Sequence, residues 1–282
     1  MFGKRTRREP FQAGRFYPAD PRELRQTAQQ ALARATRADL PRPVMGLVSP
    51  HAGYAFSGAT AAWAYKQIEG GPHRRVVVLA PSHYVPLSGA SIYWGTAYRT
   101  PLGEIPMDEA VVGALRARAP LFDSVPETHT QEHSLEVQLP FLQVALGEFS
   151  LVPILVNGTP DEAWRDVADA LFDALNETRA QLGKDTLVVA SSDLYHGPSE
   201  EACERADAEL AGELERFDPE NFARRVQRRE IQACGAGPIA AMMRLVKRAG
   251  GETLKVLRRT NSSREYPTGG DYVVGYLAAA AY

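Results

Sequence analysis

Two apolar runs in this 282-residue chain each end in a short proline-marked turn that presents a histidine. They are Val44-Met45-Gly46-Leu47-Val48-Ser49-Pro50-His51 and Val76-Val77-Val78-Leu79-Ala80-Pro81-Ser82-His83. A continuous apolar run closed by proline is the pattern of a parallel strand buried on both faces, which belongs to α/β sheets covered by helices. A third run, Thr186-Leu187-Val188-Val189-Ala190, leads into the polar turn Ser191-Ser192-Asp193-Leu194-Tyr195-His196-Gly197. Loops at the carboxyl ends of such strands are where open α/β sheets bind ligands. Neighbouring strands lie about 4.8 Å apart, and metal-to-imidazole bonds are about 2.0 to 2.1 Å. Histidines from adjacent strand ends can therefore meet on one ion. The plainer alternative is that each histidine closes its strand end by hydrogen bonding.

Helical patterns alternate with these runs. Pro10 to Pro18 reads as a packed extended arm, followed by a helix over Pro21 to Ala35 with Asp20 as N-cap. Ser57 is expected to cap a helix to about Ile68, and Asp108 to Ala117 reads as a helix with acidic residues at its positive end. A strand is expected at Ala90 to Trp94, and a helix from His133 to Leu146 with Pro140 as a kink or break. Then come a strand at Leu151 to Val156 and a helix from Pro160 to Leu182. Helices over Glu201 to Glu215, Pro219 to Arg228 and Pro238 to Ala249 precede two strands, Thr253 to Asn261 and Tyr272 to Ala279, antiparallel at one edge. The expected fold class is α/β: a single domain over residues 10–282 with a mixed, mostly parallel central sheet flanked by helices. Residues 1–9, with the basic run Lys4-Arg5-Thr6-Arg7-Arg8, are expected to form a flexible, solvated N-terminus without an export signal.

Charge is nearly balanced, 32 Lys plus Arg against 34 Asp plus Glu. Nothing in that balance points to nucleic acid or an anionic membrane, so a small molecule is the expected partner. No apolar stretch approaches the length of a bilayer span. Two cysteines, Cys203 and Cys234, make no disulfide framework, which fits a reducing, cytoplasmic setting.

Cys234, in Gln232-Ala233-Cys234-Gly235-Ala236-Gly237-Pro238-Ile239, lies just before a helix whose first turn holds a proline. The partial positive charge there favours a thiolate, a nucleophile or a soft ligand for Cu(I), Zn(II) or Fe(II). A small buried packing residue is the alternative. His133 and Glu136 are three apart at a helix start, as are Asp193 and His196 in their turn. Such pairs serve general acid–base work or support a metal ligand, while a capping box explains Glu132 to Glu136 equally well. His73 reads as part of a surface turn and His129 as part of a polar loop, neither catalytic. Dinucleotide, Walker, nucleophile-elbow and zincin motifs are absent from the sequence. A cysteine hydrolase using Cys234 with His51 or His196 remains open.

Seven blocks in order resemble the Memo family, also called the B component of the AmmeMemoRadiSam system. They are Ala13-Gly14-Arg15-Phe16-Tyr17-Pro18, Pro50-His51-Ala52-Gly53-Tyr54 with Ser57-Gly58, Pro81-Ser82-His83, Thr100-Pro101-Leu102-Gly103, Glu132-His133-Ser134-Leu135-Glu136, Ser191-Ser192-Asp193 with His196, and Cys234-Gly235 with Gly237-Pro238-Ile239. The resemblance implies a fold similar to class III extradiol dioxygenases. It also implies a pocket in which His51, His83 and Cys234 are the metal ligands, with Asp193 and His196 nearby. Those dioxygenases hold Fe(II) with two histidines and a carboxylate, so a thiol in third place moves the expectation from ring cleavage to other redox chemistry. Completion of the triad by Asp193 or Glu136 would restore the dioxygenase pattern. The expected function is thus a redox or oxygenase-type enzyme with one Fe(II) or Cu(I) ion, or Zn, acting on a small molecule. His133 or His196 would handle protons, Asp193 would orient its neighbour, and Tyr54, Glu136 and Tyr84 would line the pocket. The rival expectations are a phosphotyrosine-peptide module using the same pocket, and a partner of AMMECR-like and radical-SAM proteins.

Overall fold

The apolar runs become neighbouring strands, and the polar turns that follow them gather at one end of the sheet. In the computed structural model, which describes residues 6–123, 125–267 and 272–282, the first half of the chain forms β1 (Arg7–Arg8), α1 (Pro21–Arg34), β2 (Gly46–Ser49), α2 (Tyr54–Lys66), β3 (Arg75–Pro81), β4 (Ala90–Ile92), β5 (Ala97–Thr100), β6 (Gly103–Pro106), α3 (Glu109–Arg116) and β7 (Phe122–Asp123). Next come α4 (Pro126–Gln131), α5 (His133–Glu136), α6 (Gln138–Leu146), β8 (Ser150–Val156), α7 (Trp164–Glu177), β9 (Thr186–Ser191) and β10 (His196–Gly197). The remainder is α8 (Glu200–Glu215), α9 (Pro219–Gln227), α10 (Ala236–Arg248), β11 (Leu254–Asn261), α11 (Ser262–Glu265) and β12 (Val273–Ala281).

The main sheet runs β10-β12-β2-β9-β3-β8-β4-β7, with β11 also on β12. Its centre, β2-β9-β3-β8, is parallel, while β12 is antiparallel to β2 and β4 antiparallel to β8. Successive side chains of a strand point to opposite faces, and the sequence fills both faces with hydrocarbon. Val77, Leu79, Val152, Ile154, Val188 and Ala190 pack under α3, α7, α8, α9 and α10. Val76, Val78, Ala80, Leu151, Leu187 and Val189 pack under α1, α2 and α6. This is the α/β architecture expected from the sequence: one mixed sheet between two helical layers. Among the described residues no helix is long and apolar enough to cross a membrane.

Several local expectations are corrected. The helix expected over His133 to Leu146 is two helices that meet at Val137, and Pro140 sits in the first turn of α6, where its missing N–H costs nothing. Ser57 lies inside α2, whose N-cap is Gly53, and its hydroxyl donates to the Ala52 carbonyl. His73 is buried rather than on a surface turn, with Nε2 at 3.1 Å from the Val44 carbonyl. His129 is buried too, its ring held by the hydroxyls of Ser91 and Tyr98. Residues 7 and 8 do not belong to a solvated tail. They pair in parallel with β5, and Arg8 is buried with its guanidinium on Glu136. Lys4 and Arg5 of the same basic run lie outside the described residues.

Candidate metal centre

The carboxyl ends of β2, β9 and β3 are adjacent, so the turns after them share one hollow. His51 leaves β2, Asp193 leaves β9 and His83 leaves β3. The β2 and β9 turns are laced together: the N–H groups of His51 and Ala52 donate to Asp193 Oδ1 at 2.8 and 3.4 Å. Cys234 arrives from the loop before α10, pinned by its own N–H on the Asp193 carbonyl at 3.1 Å. That loop approaches the strand ends so closely that only glycine fits at 235, where a Cβ would stand 2.0 Å from the Ser191 carbonyl oxygen. In this way the glycines of the Cys234 block set the position of the sulfur.

The ligand atoms of His51, His83 and Cys234 lie within 4.8 Å of one another. His51 Nε2 is 3.1 Å from Cys234 Sγ, and its Nδ1 is 2.8 Å from Ser191 Oγ. The His51 and His83 rings meet edge to face, with centroids 5.2 Å apart. Glu132 grips His83 with both oxygens, accepting its backbone N–H at 2.7 Å and its Nδ1 at 2.9 Å. An ionised carboxylate only accepts, so the His83 proton sits on Nδ1 and the lone pair on Nε2. Burial pushes Glu132 up, but hydrogen bonds from His83 and Ser134 outweigh it and hold the carboxyl at about 2, below its ordinary 4.5. Asp193 and Glu136 do not join the His51–His83–Cys234 set; the two-histidine, one-carboxylate grouping that does form takes its carboxylate from Glu132, with His83 and His133.

His133 stands over His83 with centroids 4.5 Å apart and planes 26° apart, and edge-on to His51 at 5.3 Å. Its Nδ1 is 3.2 Å from Glu132 Oε1 but out of line for a hydrogen bond, and among the described residues that buried nitrogen has no other partner. Burial, then the two neighbouring imidazoles, lowers His133 to about 3, so it is neutral at neutral pH. A second set of possible ligand atoms, on His83, Glu132 and His133, overlaps the first through His83.

Cys234 departs from its expected state. Burial, with Asp193 adding to it, pushes the thiol well up despite the helix start behind it and the Asp193 N–H donating to the sulfur at 3.1 Å. Without a cation the neutral thiol is favoured, and a cation at the sulfur reverses that preference. Burial likewise raises Asp193. His196, in β10, is exposed at the rim with its ring 6.2 Å from that of Tyr272, near enough for its charge to act on Asp193. Tyr84 is 57% exposed, its ring 6.2 Å from that of His133.

Two expected pocket residues face elsewhere. Tyr54 points into the helical layer, its hydroxyl on the Val137 carbonyl and its ring against Phe141 and Tyr17. Glu136 is fully buried and occupied by Arg8, Tyr17 and the N–H groups of Phe11 and Gln12. Its partners all come from the N-terminal arm, which sequence spacing does not reveal. Conversely, Glu132 and Ser191 hold the two histidines and were not singled out. Glu132 directly precedes His133 and Ser191 lies two residues before Asp193, and the capping role of Glu132, which does accept from the Ser134 N–H, masks its second task.

The family model described as Memo-like protein matches residues 8–280. A MEMO1 family protein of Methanopyrus kandleri is 36% identical over 282 residues, covering 96% of this chain and 97% of that protein. A MEMO1 family protein of Sulfolobus acidocaldarius is 35% identical with 96% and 98% covered, and one of Thermoplasma volcanium 31% identical with 97% and 98% covered. With a match from β1 almost to the end of β12 and relatives at this identity over nearly their whole length, the chain belongs to the Memo-like protein family.

Proposed function

We propose that His51, His83 and Cys234 hold one iron or copper ion, with zinc as the third candidate, in an oxidoreductase of a small molecule. The observation that carries this reading is the convergence of three ligand atoms from three separate loops within 4.8 Å of one another. The donor set fits such an ion: two imidazoles and a sulfur suit Fe(II), Cu(I) or Zn(II) and do not suit Mg or Ca. When bound, the ion supplies redox and Lewis-acid chemistry.

The chain's own residues do the rest. Glu132 keeps His83 Nε2 turned inward, and Asp193 ties the His51 turn to its neighbour. His133, neutral and stacked over His83, offers a buried imidazole nitrogen that can hydrogen-bond a molecule in the hollow. Tyr84 and His196 are exposed near the site, Tyr84 beside His133 and His196 within electrostatic reach of Asp193. A phosphotyrosine-peptide module in the same hollow is disfavoured by the carboxylates of Glu132 and Asp193, which repel phosphate where a phosphate site needs guanidinium groups. Two free cysteines suit a reducing, cytoplasmic compartment. AMMECR-like and radical-SAM proteins are the partners the family resemblance suggests, and copurification under anaerobic conditions tests them.

Anaerobic purification followed by elemental analysis tests the metal. One equivalent of iron or copper, lost in His51→Ala, His83→Ala and Cys234→Ser, is the expected result. Absence of stoichiometric metal in the wild type, together with variants indistinguishable from it, overturns the reading.

A further inference from the structure

The hydrogen bonds behind His51 have directions that can be worked out from acceptors alone. Gln138 Nε2 lies 3.0 Å from the Pro50 carbonyl and 2.7 Å from Ser191 Oγ. A carbonyl only accepts, so that end of Gln138 is its NH₂ group. The opposite end, Oε1, accepts from the Tyr65 hydroxyl, which agrees with this orientation. Gln138 therefore donates to Ser191. Ser191 Oγ is also 2.7 Å from the Ser134 carbonyl, another pure acceptor, and its single proton goes there. What remains on Ser191 Oγ toward His51, 2.8 Å away, is a lone pair, so His51 Nδ1 must be the donor.

We propose that Ser191 is a positioning residue that fixes His51 as the Nδ1–H tautomer and turns its Nε2 lone pair toward Cys234. Two backbone carbonyls anchor the arrangement, that of Ser134 by accepting from Ser191 and that of Pro50 by accepting from Gln138, whose far end accepts from Tyr65. Serine 191, Gln138 and Tyr65 are all buried, so water does not compete for these bonds. His51 and His83 thus reach the same state by different means: a carboxylate sets the tautomer of His83, and a neutral hydroxyl already committed to a carbonyl sets that of His51. The asymmetry matters chemically. Only His83 gains the extra basicity that a carboxylate partner confers, so His51 is the weaker donor of the two. The inference rests on the metal reading for its use, but the tautomer itself does not.

Long-range proton–nitrogen correlation NMR on metal-free protein labelled with ¹⁵N-histidine reads the tautomer directly. The expected spectrum has His51 protonated at Nδ1 in the wild type and in Ser191→Thr, which keeps the hydroxyl. In Ser191→Ala it becomes a mixture or the Nε2–H form. Competition titration with Zn(II) alone should show affinity about ten- to a hundredfold lower in Ser191→Ala and restored in Ser191→Thr. A wild-type His51 protonated at Nε2 overturns the proposal even if no variant folds. So does a Ser191→Ala protein that keeps both the wild-type tautomer and the wild-type Zn(II) affinity. If the wild type binds no Zn(II) while the tautomer follows Ser191, the metal reading fails and the positioning role stands.

Discussion

Glu132 carries more of the site than its place in the sequence advertises, since one carboxylate caps α5, grips the His83 backbone and orients its ring. Its pKa of about 2 against an ordinary 4.5 fixes a sign. A folded-state pKa depressed below the unfolded value gives stability that is present above 4.5 and is lost as pH falls through about 2. Glu132→Gln should therefore be less stable than the wild type by on the order of 3 kcal/mol at neutral pH, with the gap closing below pH 2. Urea unfolding at a series of pH values checks this. His51, His83 and Cys234 were legible because each follows a strand signal or precedes a helix signal directly. The pocket role expected of Glu136 and Tyr54 fails because neighbours of the metal ligands in sequence are not their neighbours in space. A helical residue one turn from His133 ends up facing Arg8, 128 residues away.

At the level of elements, the loop before α10 is a spacer of fixed thickness. Gly235→Ala places a methyl group 2.0 Å from the Ser191 carbonyl and must push the loop off the β9 end. A loss of about 1–3 kcal/mol is expected, with weakened Zn(II) binding. Gly113→Ala in α3 is the control, because nothing lies within 4 Å of the added Cβ there. That change should leave stability equal or raise it by about 0.5–1 kcal/mol in thermal unfolding. The packing of α8 on β12 carries a different test. Asp207 accepts from the Tyr195 N–H and from the Cys203 thiol, and burial raises it from 3.8 to about 6. The raised value means the folded state favours the proton, so stability falls as pH rises from about 4 through 6. Asp207→Asn should raise the melting temperature at pH 8 and leave it nearly unchanged at pH 4. The buried strands and most helices were readable from apolar runs and from signals such as the Asp20 cap and the acidic start at Asp108. β1 and the β5–β6 hairpin were not: β1 is two residues long and defined by pairing with remote β5, and the hairpin strands are only four residues each.

For the whole molecule, the N-terminal arm is a structural brace. Arg8 donates to the carbonyls of His129 and Glu132 and to the Glu136 carboxylate, joining β1 to the segment that carries Glu132 and His133. Arg8→Ala leaves a fully buried carboxylate without its cation, for which a loss of about 3–5 kcal/mol is expected. The double variant Arg8→Met, Glu136→Gln, which removes both charges but keeps an acceptor for Tyr17 and the Gln12 N–H, should recover part of it in denaturant unfolding. Hydropathy could not show this, since a basic run near the start of a chain looks the same whether it is solvated or buried against one distant acid. The order of the central strands has a consequence in time. β2, which delivers His51, is completed on one side by β9 and on the other by β12, which follows every other element, with Ala279 opposite Val48. A ribosome releasing about 5–20 residues per second exposes both imidazoles long before the sulfur and the closing strand exist. The three proposed ligand atoms can thus share one hollow only after residue 234 has left the ribosome.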